Sequence, residues 1–201
     1  MRIIVIGATG TIGKAVVEAL RGKHDVVQVG HESGDYQVDL ADKGSIERLF
    51  EAAAPFDAVV SAAGLAKFGA LDGLSDADFQ FSLSNKLMGQ VNLVRVGMAQ
   101  IRDGGSFTLT SGVLSQEPTR GSSAISLVNG GLEAFARAAA LEMPRGVRIN
   151  VISPPWVSET LEAMGRDGDA GMPAAQVARA YVESVEGSEN GEVIDARAYA
   201  Y

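Results

Sequence analysis

Three observations predict an α/β fold built on one doubly wound parallel sheet with helices on both faces. Short β-branched runs alternate with stretches of helical periodicity along the whole chain. The runs are apolar at successive positions, as in strands covered on both sides. No repeat, low-complexity tract or linker interrupts the alternation, so the 201 residues suit one domain, 1–201, which buries roughly 70% of its unfolded surface.

Arg2 to Ile6 (R-I-I-V-I) reads as the first strand, and Lys14 to Arg21, with Ala15, Val16, Ala19 and Leu20 at helical spacing, as the first helix. Residues 25–30 read as a second strand, 36–40 as a short third, 44–54 as a helix and 56–62 as the fourth strand. A long helical pattern covers 76–101, a fifth strand 106–110 and an alanine-rich helix 124–143. The chain closes with a strand at 146–152, a helix at 174–185 and a last strand at 192–196. Strands alternating with helices imply right-handed crossovers, and ligands of such sheets lie beyond the carboxyl ends of the strands.

Composition narrows the function classes. Without cysteine there is no disulfide, thiolate catalysis or cysteine-based metal site, which fits a reducing compartment; no metal is expected. The net charge of -8 disfavours nucleic acid and anionic membranes as partners. The amino terminus runs directly into a strand and no apolar run reaches 18 residues, so neither a signal peptide nor a membrane span is expected, and the expected location is cytoplasmic.

Between the first strand and helix lies Gly7-Ala8-Thr9-Gly10-Thr11-Ile12-Gly13. A strand, a glycine turn and a helix in that order make a dinucleotide cradle of Rossmann type. Gly7 permits the turn, Gly10 admits a pyrophosphate, and Gly13 brings the helix against the strand. The helix's unpaired N–H groups would hold the phosphates. The spacing is G-x-x-G-x-x-G, and a ligand-free β-α turn is the plain alternative. The second strand ends at Gly30-His31-Glu32-Ser33, where an NAD-selective fold carries an acidic residue for the ribose hydroxyls. Gly30 leaves that position empty. His31, Ser33 and Thr9 could donate to a 2'-phosphate, opposed by Glu32, which favours NADP(H) over NAD(H). His31 as a solvated loop residue is the alternative.

The glycine turn, Asp39-Leu40, Ser61-Ala62-Ala63-Gly64, Ala140-Leu141-Glu142, Val147-Arg148-Ile149-Asn150 and Ser153-Pro154 stand in the order and at the spacings of the short-chain dehydrogenase/reductase family, which the chain resembles over nearly its whole length. The resemblance implies nicotinamide-nucleotide binding, with Asp39 and Leu40 bordering the adenine, Ala62, Ala63 and Gly64 under the adenosine ribose, and Pro154, Trp156 and Val157 facing the nicotinamide. Asp39 could instead be a turn carboxylate. His31 stands where NADP-preferring relatives usually carry arginine. The family's helix-pairing interface would fall on Leu132 to Leu141, giving a homodimer or homotetramer.

The catalytic half departs from the pattern. The main branch of the family uses a Y-x-x-x-K pair on the long helix, a serine after the fifth strand and an asparagine in the preceding helix. Ile125 stands at the tyrosine position, Asn129 at the lysine position and Gly112 at the serine position, beside Ser111. The asparagine position holds Lys86. Lysine and asparagine are thus exchanged, so Lys86 could reach the nicotinamide ribose or a substrate oxygen, and a buried Lys86 with a lowered pKa could serve as the acid; a surface helix residue is the alternative. Ser111, Thr110 and Ser126 are the nearby hydroxyls. Pro155 replaces a glycine and removes a donor. Trp156 reads as a pocket wall, and residues 158–173 as a small mobile lid. The resulting expectation is an NADP(H)-dependent oxidoreductase acting on a small carbonyl, quinone or enone, with Lys86, Ser111 and Asn129 as its catalytic set. The alternative is a non-catalytic NADP(H)-binding sensor or scaffold.

Overall fold

The computed structural model describes residues 1–200. Its sheet has seven strands, all parallel: β1 (Arg2–Ile6), β2 (Asp25–Gly30), β3 (Tyr36–Gln37), β4 (Phe56–Ser61), β5 (Ile101–Thr110), β6 (Arg148–Ser153) and β7 (Val193–Asp195), in the order β3-β2-β1-β4-β5-β6-β7. The order reverses between β1 and β4, which opens a crevice beyond their carboxyl ends.

Helices α1 (Thr11–Arg21) and α7 (Ala174–Glu186) cover one face over Ile3, Val5, Val60 and Ile152. On the other face α2 (Lys43–Ala53), α4 (Gly89–Gly97) and α5 (Ser123–Ala140) cover Ile4, Ile6, Val59, Phe107 and Leu109. Successive residues of β1 feed opposite cores, so the run Ile3–Ile6 is apolar throughout and all four are buried. Deep burial of this kind contributes roughly 1.5–3 kcal/mol per large apolar side chain.

The helical pattern at 76–101 is interrupted. It comprises α3 (Asp76–Ser82), a π-helical stretch (Leu83–Met88) and α4, and Ile101 already belongs to β5. Ile101 pairs with Phe56, then Ala58 pairs with Ser106, so residues 102–105 form a bulge. Gly104 has φ +72°, and a Cβ on Gly105 would meet the Asp57 carbonyl oxygen. The third strand is shorter than expected because Asp39 turns the chain, its carboxylate accepting from the Ala41 N–H at 2.9 Å.

One further expectation needs correction. Residues 158–173 are not a loose lid: α6 (Ser158–Ala163) opens the segment, Val157 and Met172 form a parallel bridge, and the Glu159 carboxylate accepts from the Ala174 N–H. Along Leu132–Leu141, Leu132 and Ala136 are fully buried within the chain, while Ala134, Ala138 and Leu141 are exposed. Among the described residues no helix is long and apolar enough to cross a membrane, and no group of histidine, aspartate and glutamate side chains could hold a metal ion.

Candidate functional site

The crevice at the switch point holds a cleft of about 600 Å³ lined by Gly7, Thr9, Gly10, His31, Asp39, Leu40, Ala62, Ala63 and Gly64. Its floor is the glycine turn. Gly7 has φ +80°, and a Cβ on Gly13 would overlap the Gly7 carbonyl oxygen, so only glycine lets α1 start this close to β1. Gly10 caps α1 with no side-chain hydrogen bond, and the first turn carries no acidic residue. The first N–H groups of the helix are therefore left for an anion. Thr11 is exposed at that helix start. These features fit the pyrophosphate of a dinucleotide.

At the end of β2 the empty acidic position has a steric cause. A Cβ on Gly30 would overlap the Ser33 carbonyl oxygen, because the 31–34 turn folds back over it. His31 lines the cleft; Ser33 is exposed and does not. Asp39 lines the cleft while holding its own turn, so the turn reading and the cleft position coexist.

Next to the cleft lies a smaller cavity of about 240 Å³. Ile12, Ile125, Pro154, Pro155, Trp156 and Val157 give it apolar walls, and Lys86 is the one charged side chain lining it. Lys86 stands on the π-helical stretch, a geometry that often marks functional positions. The buried Gln90 amide fixes that stretch to the end of β5: it donates to the carbonyls of Lys86 and Thr110 and accepts from the Thr110 N–H at 2.8 Å. A Cβ on Gly64 would press on the Lys86 side chain at 3.1 Å, so the chain leaving β4 runs directly against it.

Lys86 Nζ donates to the Ser111 carbonyl oxygen at 3.1 Å, and burial pushes its pKa down from 10.5 to about 8. Asn129 Nδ2 donates to the next carbonyl, that of Gly112, at 3.2 Å. Lysine and asparagine thus hold successive carbonyls of one loop. Asn129 is fully buried, and its Oδ1 has no hydrogen-bond partner, an acceptor beside the cavity awaiting a donor. A nicotinamide ribose hydroxyl fits that requirement. Gly112, at φ +153°, would bring a Cβ to 3.1 Å from Asn129 Nδ2, which accounts for glycine at the serine position.

Ser111 is a correction. Its hydroxyl turns away from Lys86 and donates to Glu133 at 3.0 Å, so Ser111 offers the cavity its carbonyl and not a catalytic hydroxyl. Ser126 is likewise engaged with the Leu114 carbonyl at 2.6 Å, and Thr110 with the Ser61 carbonyl and the buried Tyr181 hydroxyl. At the mouth, Trp156 meets Phe68 edge-on with ring centroids 6.5 Å apart, and the Arg166 guanidinium lies 5.5 Å from its ring centre.

Residues 6–196 match the family model for enoyl-(acyl carrier protein) reductases. The chain belongs to the short-chain dehydrogenase/reductase family. The crystal structure of the protein lin1944 from Listeria innocua is similar at 41% identity and a TM-score of 0.93, covering 97% of this chain and 98% of that one. A small-chain dehydrogenase in complex with NADPH is 26% identical, with a TM-score of 0.85 over 97% of this chain and 95% of its own. In sequence, 2,3-dihydro-2,3-dihydroxybenzoate dehydrogenase of Escherichia coli K12 is 30% identical over 164 residues, 71% of this chain and 66% of that enzyme. The chain thus spans just under two thirds of that relative. Within the family's frame, Ile125 lines the cavity where its main branch carries a tyrosine hydroxyl, and no tyrosine of the described residues lines it.

Proposed function

We propose that this protein is an NADP(H)-dependent oxidoreductase that reduces a small, mostly apolar carbonyl, quinone or enone, with Lys86 as the proton donor. The observation that carries the reading is a single buried ammonium in an apolar cavity that adjoins a dinucleotide cleft. A bound nicotinamide supplies or accepts the hydride. Lys86, with its pKa near 8, is mostly protonated at neutral pH and acidic enough to give a proton to a substrate oxygen, after which the amine regains one from solvent. The Ser111 carbonyl aims the ammonium, and Asn129 Oδ1 takes a ribose hydroxyl. Pro154, Pro155 and Trp156 exclude water from the reacting face. The preference for NADP(H) is supported by Gly30, which admits no acidic side chain, by His31 in the cleft and by the NADPH complex of a structural neighbour.

The test is oxidation of NADPH with a panel of ketones, quinones and enones. Lys86→Met should lower turnover roughly 100-fold or more, the lower end of what a lost general acid costs, while NADPH affinity changes less. Ile125 in place of a tyrosine gives the opposing reading its footing: a wild-type protein that binds NADPH and oxidises none of it across the panel would be a nucleotide-binding sensor or scaffold.

A further inference from the structure

Glu133 is a carboxylate with 1% of its surface exposed and no basic partner within ion-pair distance among the described residues. It lies one turn beyond Asn129 on the inward stripe of α5, formed by Val128, Asn129, Leu132, Glu133 and Ala136. Three neutral donors satisfy it: the Ser111 hydroxyl at 3.0 Å and the Ser115 hydroxyl at 2.5 Å on Oε1, and the Gln116 amide at 3.2 Å on Oε2. All three belong to the loop that follows β5. A buried carboxylate is costly unless donors surround it, and here they come from one six-residue segment.

That segment is a partition. On one side is the Lys86 cavity; on the other is a second cavity of about 270 Å³ lined by Glu133, Arg137 and Arg197, and Val113 lines both. Helix α5 grips the loop twice, through Asn129 at the Gly112 carbonyl and through Glu133 at residues 111, 115 and 116. The Ser111 backbone is held on its other flank by its N–H bond to the Ile152 carbonyl. With the Ser111 hydroxyl held by Glu133 on one side, its carbonyl is presented to Lys86 Nζ on the other.

We infer that Glu133 is a positioning residue: by anchoring the 111–116 loop it holds the Ser111 carbonyl where it aims the Lys86 ammonium into the cavity. The inference rests on the reading of Lys86 given above. Its test separates the two, because the first readout is the titration of Lys86 itself, followed by NMR of the labelled lysine amine in the full chain without substrate. Lys86 is the one charged side chain lining its cavity, with Glu133 behind the loop, so its titration reports on that loop. Glu133→Leu removes the anchor. The ammonium then loses its aimed acceptor, which lowers its pKa, and a fall of about one unit is expected.

Glu133→Gln keeps an acceptor oxygen for the two serine hydroxyls, and the exposed Gln116 amide can turn to meet its new partner. It should restore most of the Lys86 titration, and in the enzyme assay most of the wild-type pH profile, while Glu133→Leu shifts the alkaline limb downward and lowers turnover at least tenfold. NADPH affinity should stay within about threefold in both. Ser115→Ala, which deletes one half-buried donor, should shift the titration in the same direction by less, and it keeps the test decisive if Glu133→Leu does not fold. An unchanged Lys86 titration in Glu133→Leu, or in Ser115→Ala where that variant stands in, overturns the inference. So does a Glu133→Gln protein as impaired as Glu133→Leu. If the wild-type protein oxidises no NADPH, the enzymatic reading fails and the titration still decides the role of Glu133.

Discussion

Replacing Lys86 with methionine should make the nucleotide-free protein more stable at neutral pH. Burial lowers the ammonium's pKa from 10.5 to about 8. At ~1.4 kcal/mol per unit, keeping this charge inside the fold costs roughly 3 kcal/mol. Methionine has similar length, needs no hydration, and forfeits one hydrogen bond to the Ser111 carbonyl, about 1 kcal/mol once the charge is gone. The net gain is roughly 2 kcal/mol, or about 4–8 °C in melting temperature for a chain of this length. The pH dependence follows from the sign of the shift. Between about pH 8 and 10.5 the folded chain has released this proton while the unfolded chain still holds it. Wild-type stability therefore gains on the variant as pH rises through that window, and below it the full penalty applies. Urea denaturation of both proteins at several pH values from 7 to 10.5 isolates the effect, because every other titrating group is common to the pair. A variant no more stable than wild type at pH 7, or a difference that stays constant up to pH 10.5, would refute the claim that Lys86 is a buried charge.

Two of the glycines should separate binding from folding. At Gly10 an added Cβ meets only the Gly7 carbonyl oxygen, at 3.3 Å, so Gly10→Val should fold normally by circular dichroism yet lose NADPH in fluorescence titration. Gly13→Ala forces a Cβ into backbone and should destabilise by at least about 2 kcal/mol in the same urea assay. NADPH should bind more tightly than NADH, and His31→Leu should erase most of that difference while leaving NADH affinity within about twofold; equal affinities in the wild-type protein would remove His31 from the account.

Much of this architecture is readable in the chain. A parallel strand buried on both faces must be apolar at every position, and Ile3 to Ile6 or Ala58 to Val60 have no other economical use. The helical pattern overran to Ile101 because its apolar spacing continues, whereas the turn at Gly104 and the close approach of Gly105 to Asp57 depend on a neighbouring strand that periodicity does not see. Helix α6 has six residues, too few to show a period, and its anchors Val157–Met172 and Glu159–Ala174 lie about fifteen residues apart. In the site, motif positions bring Lys86 and Asn129 to one cavity. The direction of the Ser111 hydroxyl could not be read, since at a strand end either face of the sheet is open to it. Glu133 carries a signal in the sequence itself: a carboxylate on the buried stripe of an alanine-rich helix, four residues from Asn129, requires donors from whatever packs there.

The most direct test of the central claim is a crystal structure of the protein with NADP bound. The nucleotide should lie across the carboxyl ends of β1 and β4, its pyrophosphate at Gly10 and its nicotinamide at the cavity of Pro154 and Trp156, with Lys86 Nζ within hydrogen-bond reach of the nicotinamide ribose or of a water where a substrate oxygen belongs. A nicotinamide seated away from that cavity, or a Lys86 side chain turned from it toward solvent, would contradict the account.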